Sequence, residues 1–209
     1  MLVITAERNN LMITLYKEAL SAIENLDPDR MPSLADAHVK GLYSIVLAGK
    51  KSGELLRVFV STVKISPYEL QFHTHRYNIS IAVIKGVVVN HVAESGTFIN
   101  NSVKMDVMKY NSPLVGEPCL TTVADNATFR ISEYTIPHDA ELYMEHNLFH
   151  TISCDAGGVW IVKEQGIQAD ESYVLGRPFS TAGLYREIDP DINTHLMNEL
   201  HILIKNKGI

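Results

Sequence analysis

Between residues 42 and 166 the chain alternates apolar and polar side chains with a period of two, and this limits its fold more than any other feature. "YSIVLAG", "LLRVFVSTVKI", "YNISIAVIKGVVVNHV", "SVKMDVMKY", "ATFRISEYTI", "FHTISC" and "VWIVKE" are short runs set apart by Gly, Asn, Asp, Ser and Pro clusters. Successive side chains of extended backbone point to opposite faces, so each run predicts a strand with one buried face. Repeated at this spacing, the runs predict an all-β architecture, an antiparallel sandwich or barrel.

The period changes at both ends. Leu11, Leu15, Ala19 and Ile23 recur in four-residue steps and predict an amphipathic helix over residues 7–25. "DPDRMPS" breaks it, and "SLADAHV" is expected to open a second short helix capped by Ser33. Ile192, Leu196, Leu200 and Leu203 predict a C-terminal helix over 190–207, with Lys205 and Lys207 in its last turn. The expected organisation is one domain: a helical N-terminal extension (1–40), a β-barrel (42–186) and the final helix. A long insertion over 93–138 has no assigned role. The two apolar stripes are expected either to pack on the barrel or to form a homodimer contact, because a stripe does not say whose surface it covers.

A formal net charge of −6 argues against a general attraction to nucleic acid or to anionic membrane. No apolar run is long enough to span a bilayer, and Glu7, Arg8 and Lys17 interrupt the N-terminal stretch that a secretory signal would occupy. Cys119 and Cys154 form no CxxC pair and no disulfide framework, which suits the cytoplasm. Cys119, in "GEPCLTT", is expected in a loop, and Cys154 as a buried, inert thiol.

"HTHRYNISIAVIKG", residues 73–86, holds the clearest chemical signal. His73 and His75 share a face with Tyr77, Ile79, Ile81 and Val83, whereas Thr74, Arg76, Asn78, Ser80, Ala82 and Ile84 make an opposite, mostly polar face. Two imidazoles aimed inward need partners, because a buried polar group without one costs about 1–3 kcal/mol. A divalent ion at roughly 2.0–2.2 Å from both would serve.

The spacing of His73, His75 and the turn residue Gly86 resembles the first motif of the cupins, G-x5-HxH-x3,4-E-x6-G. Pro67 stands at its first glycine and Ile79 at its glutamate. The second motif, G-x5-PxG-x2-H-x3-N, fits best with His150 as its histidine; Asp139 and Asn147 then take the glycine positions, Glu145 the proline and Cys154 the asparagine. His146 fits less well. The resemblance implies a cupin-like antiparallel β-barrel (a double-stranded β-helix) with flanking helices, and a metal held by His73, His75 and His150. Without the glutamate, the set is similar to that of thiol dioxygenases, which implies ferrous iron. Zinc, nickel or manganese suit the same donors. Glu133 or Glu141 could supply a replacement carboxylate, although each reads better as a solvated hairpin residue.

Arg57 shares a face with Phe59, Ser61, Val63 and Ile65. It reads either as a clamp for a carboxylate or phosphate, or as an arginine paired with an ordinary Asp or Glu. Tyr77 could orient a substrate, and Tyr173 and Tyr185 could close over the mouth. Two functions follow: a metal-dependent cupin enzyme acting on a small polar molecule, in the manner of a mononuclear iron dioxygenase, or a receptacle for a small anionic ligand.

Overall fold

The computed structural model describes residues 2–5, 11–49, 54–97, 100–111, 119–138, 140–176 and 186–207. In chain order the elements are β1 (Leu2–Thr5), α1 (Leu11–Glu24), β2 (Leu34–Ala35), β3 (Leu42–Ala48), β4 (Leu55–Ser61), β5 (Tyr77–Lys85) and β6 (Val88–Ser95). They continue as β7 (Ser102–Asn111), β8 (Cys119–Ile136), β9 (Glu141–Met144), β10 (Phe149–Cys154), β11 (Val159–Ile167), β12 (Ser172–Leu175), β13 (Arg186–Glu187) and α2 (Pro190–Lys205).

Every named strand pairing is antiparallel. The strands form an eight-stranded sheet, β1-β9-β5-β11-β4-β3-β2-β13, and a five-stranded sheet, β10-β6-β8-β7-β12. Phe59, Ile79, Ile81, Val83, Trp160 and Val162 of the large sheet meet Val88, Ile136, Ile152 and Cys154 of the small one in a single buried cluster. The result is the nearly closed, helix-flanked antiparallel barrel that the alternation and the cupin resemblance predict. Residues 93–138 turn out to be mainly the β7–β8 hairpin, which joins the small sheet through β6 and β12.

Two tight turns carry the chain between the sheets. Gly86 (φ +81°) lies between β5 and β6, and Gly157 (φ +84°) between β10 and β11. A Cβ on Gly86 would sit 3.0 Å from the Gly158 Cα, so the two turns pack backbone to backbone. Glycine is needed at Gly86 both for the left-handed conformation and for that approach.

The large sheet is buried on both faces. Its outer face packs Ile45, Val58, Ala82, Ile84 and Ile161 against Leu15, Tyr16 and Ala19 of α1 and Met197, Leu200 and Ile204 of α2. The expected polar face of β5 is therefore corrected: Ser80, Ala82 and Ile84 are buried beneath the helices.

Three further expectations change. No second short helix forms at "SLADAHV": Leu34–Ala35 is a strand, and the Ser33 Oγ accepts a bond from the Val46 N–H instead of capping. In α2, Leu196 and Leu203 pack as expected against the cluster that buries Met197, Leu200 and Ile204, while Ile192 is 48% exposed. Ile192 lies in the first turn of α2, before the helix reaches the cluster on the sheet. Cys119 is the first residue of β8 rather than a loop residue. The side chain of Leu11 lies outside the described residues, and Tyr185 and Asp139 lie outside them altogether. No described helix is long and apolar enough to cross a membrane.

Candidate metal centre

His73 and His75 precede β5 on an extended segment threaded between the two edges of the small sheet. On one side His73 N–H donates to the His150 carbonyl (2.9 Å), His150 N–H returns a bond to His73 (3.0 Å), and His75 N–H reaches the His146 carbonyl (2.9 Å). On the other side Thr74 N–H donates to Tyr173 and Leu175 N–H to Phe72, each at 2.8 Å. Alternate residues thus bond to β10 and to β12, which leaves both imidazoles on one face. After Arg76 the chain steps into the large sheet as β5. The strand carrying the histidine motif is therefore split between two sheets.

His150, on β10, completes the group: one ring nitrogen from each of His73, His75 and His150 lies within 4.8 Å of the others. The ring centroids are 4.8, 5.1 and 5.0 Å apart, and His75 Nε2 is 2.7 Å from His150 Nε2. His146 is not a member; its backbone N–H bonds to Asn78 Oδ1.

Two of the rings have their tautomers set by acceptors. The Gln71 carbonyl, 3.0 Å from His73 Nδ1, can only accept, so that nitrogen carries the proton and Nε2 keeps its lone pair. Gln71 itself has φ 52°, an uncommon conformation for a residue with a side chain. Asn90, fully buried on β6, places Oδ1 2.8 Å from His150 Nδ1 and donates its own N–H to Met144 Sδ. All three imidazoles are held below the usual histidine pKa. Burial is the main cause for each; Arg57 adds to it at His73, neighbouring histidines and Arg57 at His75, and His73 at His150. They are neutral donors at neutral pH.

This donor set fits a divalent ion. Zinc-class ions hold imidazole nitrogens at about 2.0–2.1 Å, which separates two ligand nitrogens by roughly 3 Å in a tetrahedral arrangement. The 2.7 Å approach of His75 and His150 and the 4.8 Å limit of the group bracket that value. Two lone pairs cannot face each other at 2.7 Å unaided; either a proton or an ion must lie between them.

Ile79, at the glutamate position of the resemblance, is buried in the inter-sheet core. Neither proposed replacement reaches the histidines. Glu133 pairs with His91 (3.3 Å) on the outer face of the small sheet. Glu141 lies beside Ser80, Glu18 and Lys163, under α1, where burial raises its pKa. The interior carboxylate is Glu164 of β11, directly across from Ile79, and it is bound to the Arg57 guanidinium. Arg57 also lies 5.1 Å over the Phe59 ring, and its charge is felt by His73, His75 and His38. The Tyr77 hydroxyl accepts a bond from Arg76 (3.1 Å), and the Tyr173 hydroxyl donates to Glu171 (2.9 Å). Cys154, on the His150 face, is buried, and burial pushes its thiol pKa up.

Sequence reasoning missed Asn90, Glu164 and His38. The first two were legible: each interrupts an apolar face, Asn90 between Val88 and Val92 and Glu164 after Trp160 and Val162. His38 lies in a loop, where no periodicity points to it.

No protein-family model matches the chain, and no curated protein matches it in sequence. Solved structures do overlap it loosely. The hydroxypropylphosphonic acid epoxidase of S. wedmorenis is 13% identical over 66% of this chain, with a TM-score of 0.37, and the chain spans 56% of its length. The L-ribose isomerase of Cellulomonas parahominis is 13% identical over 90% of this chain and 96% of its own, with a TM-score of 0.32. The ycfD protein of E. coli is 12% identical over 75% of this chain and 41% of its own, with a TM-score of 0.29. Overlaps this loose say nothing about chemistry, and the candidate centre rests on its own geometry.

Proposed function

We propose that the protein is a metal-dependent enzyme acting on a small polar molecule, with His73, His75 and His150 as the ligands of one divalent ion. The convergence of three neutral ring nitrogens within 4.8 Å, with His150 buried and His73 and His75 half-buried, carries this reading. A three-nitrogen set with no carboxylate leaves the charge of the ion uncompensated and coordination positions open. Ferrous iron, in a dioxygenase-type reaction, is the ion we favour; zinc, nickel and manganese suit the same donors. When bound, such an ion supplies Lewis acidity and, as iron, electron exchange with dioxygen.

The chain's own residues would do the rest. Arg57, fixed by Glu164 and Phe59, would draw an acidic group of the substrate toward the histidines. Tyr77, whose oxygen already accepts from Arg76, retains an O–H that can orient a substrate. The inter-sheet core would exclude water from the closed end of the barrel.

A second reading, a receptacle for a small anion without turnover, is supported by the charge of Arg57, which acts on both His73 and His75 at the centre.

The test begins with elemental analysis of protein purified without added metal. About one ion per chain is expected, lost on alanine substitution of His73, His75 or His150 and retained in His146→Ala. Oxygen consumption by the iron-loaded protein is then measured against small thiols, amino acids and keto acids, with His150→Ala as the blank. Metal without turnover, but with a melting temperature raised by one anion, would select the second reading. Protein that takes up no metal would end the first.

A further inference from the structure

We infer that Ser153, His91 and Glu133 form a second site, on the outer face of the small sheet, at which Ser153 is the nucleophile of acyl transfer from small esters. The three residues stand on the adjacent strands β10, β6 and β8. His91 Nε2 is 2.7 Å from Ser153 Oγ, and His91 Nδ1 is 3.3 Å from Glu133 Oε1. A nucleophile within hydrogen-bond reach of a base, itself oriented by a third group, is the arrangement that activates a serine hydroxyl. The site is separate from the three-histidine centre because side chains alternate along a strand. His150, Ile152 and Cys154 point inward from β10, and Ser153 points out.

Strand register assembles the trio. His91 is paired with Thr151 on one side and with Glu133 on the other, and Ser153 is paired with Val89. The Thr151 hydroxyl donates to the Pro67 carbonyl (3.1 Å), and the imidazole bonds to Ser153 one pleat further along. Serine and imidazole therefore meet across a diagonal, a separation within reach of a side chain as long as histidine. An ionised carboxylate can only accept, so Glu133 draws the imidazole proton to Nδ1 and leaves the Nε2 lone pair facing the Ser153 O–H. That is the tautomer a general base needs. His91 is 5% exposed, whereas Ser153 is half-buried and the Glu133 side chain is 68% exposed, so a reactant meets the trio from the solvent side.

The chemistry follows from these roles. Ser153 Oγ attacks the carbonyl carbon of the ester, and its proton passes to His91 Nε2. The bond from the carbonyl carbon to the leaving oxygen breaks, and the leaving alkoxide takes that proton. Water then attacks the acyl-serine, its proton passing by way of His91 to Ser153 Oγ as the carboxylic acid departs. Glu133 is a positioning residue, which holds the imidazole through both steps. The half-buried Val89 lies directly across from Ser153, and Glu133 puts negative charge on the same face. The substrate class is therefore an ester of a short, uncharged, apolar acid.

Two probes test the assignment. Turnover of p-nitrophenyl acetate is followed by release of p-nitrophenolate. A fluorophosphonate, from which an activated serine displaces fluoride, leaves a covalent adduct that peptide mass spectrometry locates. Wild type is expected to hydrolyse the ester equally with and without EDTA and to carry the adduct on Ser153. Ser153→Ala should lose both. His91→Gln should slow both about 100-fold, the lower end for general-base catalysis. Glu133→Gln should lower the maximal labelling rate about fivefold, the scale of one exposed ion pair, at unchanged probe affinity and melting temperature. Wild type without an adduct, or with one only on another residue, would overturn the assignment. So would turnover that EDTA removes or that persists at the wild-type rate in Ser153→Ala, or labelling of His91→Gln or Glu133→Gln as fast as wild type. Metal content enters none of these outcomes, so the three-histidine reading stands or falls separately.

Discussion

Asn90→Leu is the most informative substitution. Leucine matches asparagine in size but offers no acceptor to His150 Nδ1, 2.8 Å away, and both side chains are buried. The imidazole then has two choices. It can keep its proton on Nδ1 with no partner, at a cost of about 1–3 kcal/mol. Alternatively it can move the proton to Nε2, where it points at His75 Nε2, 2.7 Å away, and occupies the lone pair that a metal needs. The metal-free protein escapes part of the penalty by the second route, but the metal-bound protein cannot. Metal affinity should therefore fall further than metal-free stability. A loss of about 10–100-fold is typical when the outer partner of a ligating histidine is removed. That corresponds to about 1.4–2.8 kcal/mol, the same range as the orphaned N–H. Asn90→Asp restores an acceptor and should retain most of the affinity. The assay is competition for Zn2+ against a colorimetric chelator, alongside urea unfolding of metal-free protein. Wild-type affinity in Asn90→Leu, or equal losses in Asn90→Leu and Asn90→Asp, would refute the view that Asn90 sets the tautomer.

Two other substitutions probe the surroundings of the centre. Arg57→Met should destabilise the protein by about 3 kcal/mol, the lower end for breaking a buried pair because the Arg57 side chain is 22% exposed, whereas Arg57→Met with Glu164→Met should cost less. Chemical unfolding of the two single variants and the double variant checks this, and additive losses would count against a coupled pair. Burial raises the Glu141 pKa, so the folded state holds its proton more tightly than the unfolded chain does, and stability falls as pH rises through the unfolded and then the folded value. Glu141→Gln should therefore melt above wild type at about pH 7 and level with it near about pH 3, below the usual carboxylate range; equal melting at both would show that the carboxylate is not strained by burial.

Much of this molecule was determined by local pattern. The period of two between residues 42 and 166 specifies strands and says which side chains share a face, because alternation is a property of the extended backbone itself. It placed Arg57 with Phe59 and His150 with Ile152 and Cys154, and the HxH spacing with Gly86 marked the histidines that meet. What alternation cannot say is what each face is buried against. Ser80, Ala82 and Ile84 look like the wet side of β5 until two helices cover them, and helix docking depends on contacts between elements far apart in the chain. The same holds for polar partners. Glu164 meets Arg57 across two neighbouring strands separated by 107 residues, and Asn90 meets His150 across 60. His38 stacks on His73 from the loop between β2 and β3, and a loop has no period to read. The ligand-bearing residues were legible one by one because their faces follow from the backbone. Their acceptors, their neighbouring ion pair and the stacking of His38 on His73 were set by strand order and loop closure, which exist only once the two sheets have formed.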